Sequence, residues 1–324
     1  MVNALHEARV AADRDLPPAE ALARLPELCA RFAVTRIGDT TRLNRIGLPT
    51  MCAVVPDSLS DVSIYNGRGE SKDQAALGAV MEAVERQTAA RCAIPETIAA
   101  PHAVRNTIDL QRCGLRDEYA RTPMPFVQAL DILSGRTLAV PKALVQTPWR
   151  GLPAFQSTHT NGLASGFSLR EAIYHALLEL VERHLYAVTH ARAHLRPKRL
   201  LQHIFGAGPL SFVDDPVDEI VQPTRVRSID SVCERFSQAG TEVRLVAMRV
   251  PPFPLGVLAS VCDRERTDFH AGFGCSRSPV TAVLRALSEA AQACTANIQA
   301  ARENILRAGD PPSRFATHTR RRTS

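Results

Sequence analysis

Three triplets of residues repeat one spacing. Gly78, Glu82 and Glu85 stand at i, i+4 and i+7, as do Arg285, Glu289 and Gln292; His175, Glu179 and Glu182 repeat it with Glu171 one turn earlier. At about 100° per residue each triplet falls on one narrow helix face. Their neighbours are apolar (Ala75, Val80 and Val84; Ile173, Leu177 and Val181; Val283, Leu287 and Ala291). A helix apolar over most of its circumference is normally buried, and a buried carboxylate is costly unless paired or bound to a cation. Were the three strips to converge, they would enclose several carboxylates and an arginine. That donor set suits a hard cation, and Mg²⁺ takes oxygen ligands and commonly bridges to nucleotide phosphates. Plainer readings stand beside this one. Glu171 can be a capping residue only, Glu85-Arg86 and Glu182-Arg183 can be solvated helix charges, and His175 can be a packed histidine. Two near-identical phrases, Glu-Ala-Val-Glu-Arg (82–86) and Glu-Leu-Val-Glu-Arg (179–183), favour convergence.

The elements that position these residues are legible. Ser71 with Gln74, and Ser168 with Glu171, have capping-box spacing and open helices over about 72–92 and 169–190. Ser278 followed by Pro279 opens a third, running to about Glu303. Residues 16–32 read as one amphipathic helix, and Cys233–Ala239 as a short one. Strand patterns cover 51–55, 126–130, 138–141, 242–250 and 254–261. Two glycine-rich loops precede helices: Gly67-Arg68-Gly69 and the 161–166 loop, where Asn161 offers an amide near a helix N-terminus, a place suited to anions. Neither is a Walker A or a dinucleotide fingerprint. Three long helices separated by antiparallel-looking strands predict a mixed α+β fold with largely antiparallel sheets. One domain is expected over 16–305, between a flexible N-terminus (1–15) and a short basic tail (306–324).

Composition narrows the function classes. The 324 residues are 45% hydrophobic and 22% charged, with mean hydropathy −0.09, which describes a globular chain with material for a core. The net charge of +6 rests on scattered arginines, and aromatics are only 5% of residues, so nucleic-acid binding is not expected. The eight cysteines include no Cys-x-x-Cys pair and no secretory segment precedes them, which predicts a reduced, cytoplasmic protein without zinc. The longest apolar run, Val250–Cys262, is too short for a bilayer and holds three prolines, so no membrane association is expected.

The segments GRGESKDQAALGAVMEAVER (67–86), TNGLASGFSLREAIYHALLELVER (160–183) and SPVTAVLRALSEAAQA (278–293), with VTRIGDTTRLNRIGLPTMCAVVP (34–56) upstream, resemble the YcaO family. The likeness covers roughly 16–305 and is greatest to the TfuA-associated, thioamide-forming branch. It implies ATP and Mg²⁺ held between helices, and ATP-dependent activation of a peptide backbone amide. A nucleophile adds to the amide carbonyl, the oxyanion is phosphorylated, and phosphate leaves. Sulfide from a TfuA-type partner gives a thioamide; a Cys, Ser or Thr side chain gives an azoline. Carried over by position, the resemblance makes Glu82, Glu85, Glu179 and Glu182 the metal and phosphate carboxylates. Asn161, Glu171, Arg285, Glu289 and Gln292 become nucleotide contacts, Arg86 and Arg183 supporting charges, and Arg68 takes the place of a phosphate-binding lysine. It assigns no catalytic acid, base or nucleophile, and it implies a peptide or protein substrate and a homodimer.

Four positions depart from the family pattern. Gly78 replaces a serine, Arg68 the lysine of Gly-Lys-Gly, Asn44 an aspartate, and Cys294 falls where the third motif reads Gln-Ser-Arg. The sequence stops at THTRRRTS, without the proline-rich tail of azoline-forming relatives. The expectation is therefore thioamidation before azoline formation, with a shortened nucleotide- or peptide-binding partner lacking turnover as a further alternative. An unrelated ATP-dependent carboxylate ligase is the reading from another class.

Overall fold

The computed structural model describes residues 14–194, 218–263 and 269–299. Three antiparallel sheets carry the described architecture. The first has the order β1-β2-β3, with β1 Arg36–Asp39, β2 Thr50–Val54 and β3 Ile64–Arg68. Before it come two short helices, α1 (Pro18–Ala23) and α2 (Leu25–Arg31). After it α3 (Lys72–Arg91) folds back onto β2 and β3, burying Ala79, Val80 and Ala83 against Ala53, Val55 and Tyr65. A second sheet, β4 (Glu96–Ala99), β5 (Met124–Leu130) and β6 (Thr137–Pro141), has its own small core around Phe126 and Phe155.

The chain then enters α4 (Leu169–His194). The last sheet has the order β10-β9-β8-β7, from β7 (Asp218–Glu219), β8 (Thr241–Met248), β9 (Leu255–Asp263) and β10 (Phe269–Ser276). Helix α5 (Arg227–Gln238) and helix α6 (Pro279–Gln299) pack on it and enclose the largest core, built on Phe236, Leu245, Val257 and Leu287. Leu178 and Leu185 of α4 meet Met248 and Cys275 of this sheet.

Two glycines set how closely helix and strand approach. A Cβ on Gly67 of β3 would lie 2.0 Å from the Ala75 carbonyl oxygen and 2.2 Å from the Ala79 nitrogen. One on Gly274 of β10 would lie 2.1 Å from the Ala282 oxygen and 2.8 Å from the Ala286 nitrogen. Only glycine lets the backbones touch there.

Four sequence expectations are corrected. The helix expected over 16–32 is two, because Pro26 has no N–H to donate and its ring crowds the carbonyl four residues back; α2 restarts with Pro26 in its first turn. The short helix at Cys233 begins six residues earlier, at Arg227. Strand β10 was not foreseen, since Gly272 and Gly274 look like a loop when read locally. Helix α4 is not buried all round, leaving Leu177 and Leu180 45% and 46% exposed. The expected continuation of α6 toward Glu303, the basic tail and residues 1–13 lie outside the described residues. Residues Arg14 and Asp15 are described and attach to α4, as set out below. None of the eight cysteines is in a disulfide, and no described helix is long and apolar enough to cross a membrane.

Candidate functional site

The three long helices start alike. Ser71, Ser168 and Ser278 accept hydrogen bonds from the backbone N–H groups of Gln74 (3.2 Å), Glu171 (3.1 Å) and Thr281 (3.4 Å). Counted from these caps, the polar triplets occupy the same places. Gly78, His175 and Arg285 are equivalent, as are Glu82, Glu179 and Glu289, and so are Glu85, Glu182 and Gln292. The strand glycines keep step as well, since Gly67 meets Ala75 and Ala79 where Gly274 meets Ala282 and Ala286.

Each middle glutamate ties its helix to the chain that precedes or faces it. Glu82 Oε2 accepts the Asn66 backbone N–H at 2.8 Å, and Glu179 Oε2 accepts that of Gly162 at 3.0 Å. Glu289 Oε2 accepts Arg68 Nη2 at 2.7 Å. Gln292 takes Arg68 Nη1 on its oxygen (2.7 Å) and donates its own amide to the Asn66 carbonyl (3.1 Å). Ser165 donates to the Met81 carbonyl at 2.9 Å, fastening the 161–166 loop to α3. Arg285 Nη1 donates to the Cys275 carbonyl at 3.1 Å.

The carboxylates feel one another across this interior. Burial pushes Glu85 up to about 8; Arg86 opposes the rise, and the charges of Glu82 and Glu179 add to it. Burial pushes Glu182 up to about 7, reinforced by Glu289 and opposed by Arg183 and Arg68. Glu179 is raised too, chiefly by burial, against the Gly162 N–H, Arg183 and Arg86. Glu179 thus senses Arg86 of α3 and Glu289 of α6 from its place on α4, so the three strips converge. The raised values reflect chiefly the loss of water around these carboxyls, with their mutual repulsion a smaller addition.

Glu171 and Asn161 stand differently. Asn161 is exposed, with the loop's Gly162 rather than its own side chain bonded to α4. Glu171 is 2% exposed and already engaged: Oε1 accepts Arg14 at 2.8 Å, and Oε2 accepts the N–H groups of Phe167 (3.2 Å) and Asp15 (3.4 Å). It reaches back to the residue before the Ser168 cap and holds the N-terminal segment. Asp15 adds contacts to Ser168 and Arg170. Asn44 also has a structural task, because Nδ2 donates to Thr295 while Oδ1 accepts the Ile46 N–H (2.8 Å).

Five buried side-chain polar atoms lack a hydrogen-bond partner among the described residues. Four are nitrogens in this region: Asn66 Nδ2, Arg86 Nε, His175 Nε2 and Arg183 Nε. Buried polar atoms are almost always satisfied; here Arg86 Nε has only Glu85 at 3.7 Å and His175 Nε2 only Glu171 at 3.9 Å, both beyond hydrogen-bond distance. His175 is held neutral, pushed down to about 3 by burial and by Arg14 and Arg285. Asn66 escaped the sequence reading; its only local signal was its place beside Gly67-Arg68-Gly69.

Residues 66–323 match the family model described as YcaO cyclodehydratase, ATP- and Mg²⁺-binding. The chain belongs to the YcaO family. It is 33% identical over 310 residues to an uncharacterized protein in the tfuA 3′ region of Rhizobium leguminosarum bv. trifolii, covering 90% of this chain and 69% of that one. An uncharacterized protein of Methanothermobacter thermautotrophicus is 31% identical over 300 residues, covering 90% and 73%. Among solved structures, YcaO from Methanopyrus kandleri, bound with AMPPCP and Mg²⁺, superimposes with a TM-score of 0.64 at 24% identity, covering 90% of this chain and 71% of that one. A heterocyclase in complex with substrate and cofactor gives 0.70 at 16% identity, covering 91% and 42%. These likenesses establish the mixed, antiparallel YcaO fold.

The residues present fit a magnesium–nucleotide pair. No three described His, Cys, Asp or Glu side chains already surround one point as metal ligands. Mg²⁺ does not need such a cage, since it usually keeps waters and binds through one or two carboxylates plus phosphate oxygens. The buried glutamates suit the first, and the buried nitrogens without a hydrogen bond suit the second.

Proposed function

We propose that this chain binds ATP with Mg²⁺ and activates a peptide backbone amide by O-phosphorylation, for thioamide formation with a TfuA-type partner. The observation that carries the reading is the convergence of glutamates from α3 and α4 with Glu289, Arg68 and Gln292 beside unpartnered buried donors. Glu82, Glu85, Glu179 and Glu182 would hold the metal, and Arg86 and Arg183 would donate to phosphate oxygens. Bound ATP supplies the phosphoryl group that turns an amide oxygen into a leaving group, with Mg²⁺ spreading its charge. The protein's own part is positioning and charge neutralisation. Caps and glycine contacts fix the helices, and their half-buried charges act in a medium that screens them little. The tfuA-region relative supports sulfide as the nucleophile and a TfuA-type protein as its source.

The test is a melt with and without Mg-ATP, followed by phosphate release and peptide mass in the presence of candidate peptide, sulfide and a TfuA-like protein. We expect a nucleotide-dependent rise in melting temperature and a peptide whose mass shifts by the exchange of oxygen for sulfur. Loss of one water instead indicates azoline formation. Nucleotide binding without phosphate release identifies a partner without turnover, and trapping of an acyl phosphate by hydroxylamine identifies a carboxylate ligase. No shift and no phosphate release overturns the reading.

A further inference from the structure

Asn66 lies in β3 with both backbone groups already taken, its N–H by Glu82 of α3 and its C=O by Gln292 of α6. The residue therefore bridges two of the converging helices at a fixed place. Side chains alternate along a strand. Tyr65 enters the core beneath α3, and Gly67 abuts the α3 backbone, so Asn66 and Arg68 share the opposite face. On that face Arg68 reaches Glu289 and Gln292. Asn66 is 7% exposed, and its Nδ2 has no acceptor. A carboxamide so deeply buried with an idle donor costs the ligand-free fold free energy. Nothing in the backbone demands it, since β3 pairs with β2 through main-chain groups.

We propose that Asn66 is a nucleotide-binding residue, donating its side-chain amide to a phosphate oxygen held between α3 and α6. The proposal rests on the reading of the site as a nucleotide site and adds to it a residue from the sheet. A neutral donor is suited to this position. An amide donates to an anion at a smaller desolvation cost than a full charge would carry.

The experiment compares wild type with Asn66→Leu, which keeps the bulk and removes the donor, and Asn66→Asp, which keeps the shape and turns the donor into an acceptor. Each is melted without ligand and titrated calorimetrically with Mg-ATP. We expect Asn66→Leu to melt at or above the wild-type temperature without nucleotide, yet to bind Mg-ATP about tenfold more weakly, and Asn66→Asp more weakly still. If Asn66→Leu does not fold, the smaller Asn66→Ser takes its place with the same expectation for binding. Wild-type affinity in these variants overturns the proposal, as does a fall in the ligand-free melting temperature with the nucleotide-dependent rise intact, the signature of a purely structural amide. Failure of the wild type itself to bind Mg-ATP removes the nucleotide reading, and this proposal with it.

Discussion

Arg68 Nη2 stands 2.7 Å from Glu289 Oε2, and Nη1 of the same guanidinium stands 2.7 Å from Gln292 Oε1. One side chain thus fastens the first sheet to the helix of the last, using two donors in a fixed fork. A lysine at this position presents a single point charge and cannot serve both oxygens. The pair is about a third exposed, which keeps its contribution modest. Arg68→Lys is expected to lower unfolding stability by about 1 kcal/mol and to weaken Mg-ATP binding. Urea denaturation and calorimetric titration check both, and an unchanged variant would show the fork to be incidental.

Burial makes the acidic cluster a pH-dependent liability. Glu85, at about 8, and Glu182, at about 7, bind protons more tightly in the folded chain than at the ordinary carboxyl value of 4.5. The folded state therefore gains protons relative to the unfolded one, and their contribution to stability declines as pH rises from about 4.5 through 7 to 8. His175 acts at the other end. Its value of about 3 against 6.5 makes the unfolded chain the better proton binder, so stability declines as pH falls from 6.5 toward 3. Denaturation midpoints between pH 4 and 9 should show both limbs, with Glu85→Gln flattening the alkaline one. Mg-ATP binding at pH 7 should release about one proton, measurable by titration in buffers of different ionisation enthalpy; zero release would contradict the assignment of these carboxylates to the metal.

Two neighbouring glycines, Gly67 and Gly78, respond oppositely to an added side chain. A Cβ at Gly67 meets backbone at 2.0 Å, whereas one at Gly78 meets the Arg68 oxygen at an ordinary 3.6 Å. Gly78→Ala should stabilise the chain by about 0.5–1 kcal/mol through helix propensity. Gly67→Ala should prevent native packing of α3 on β3. Chemical denaturation of the two variants decides, and the serine common elsewhere in the family is expected to fit at position 78.

The Arg14–Glu171 contact joins an exposed guanidinium to a carboxylate with no side-chain exposure. Removing Arg14 leaves Glu171 with backbone N–H partners and a neutral His175 at 3.9 Å. Arg14→Ala should cost about 1–3 kcal/mol, and Glu171→Gln added to it should recover part of that loss, because a neutral carboxamide oxygen still accepts the Phe167 N–H. Additive effects in this double-mutant cycle would mean the two residues do not interact.

The helical placement of the candidate residues was legible in the sequence because it is local. Caps at Ser71, Ser168 and Ser278 and a helical period place Glu82, Glu179 and Glu289 with no tertiary information. Spacing alone does not decide convergence, since it depends on β3 and β10 delivering their helices to one interior. Asn66 stayed hidden because a single asparagine in a strand carries no periodic signal; only its burial and its idle amide distinguish it. Strand β10 was missed for a related reason, as Gly272 and Gly274 lower strand propensity for the sake of a helix that comes later in the chain. The split at Pro26, by contrast, was readable from proline chemistry and was outweighed by an apolar period running straight through it.

Gly67 and Gly274 lie flush on helix backbones, and from each of them the middle glutamate follows at the same interval along the chain, at Glu82 and Glu289. Nothing adjustable intervenes between anchor and carboxylate. Inserting or deleting one residue in either interval would turn the helix by about 100° beyond its anchor and swing that glutamate away from the others. Such chain-length changes should therefore be far more damaging there than in the Asp131–Arg136 hairpin turn, where the backbone is exposed and can absorb them.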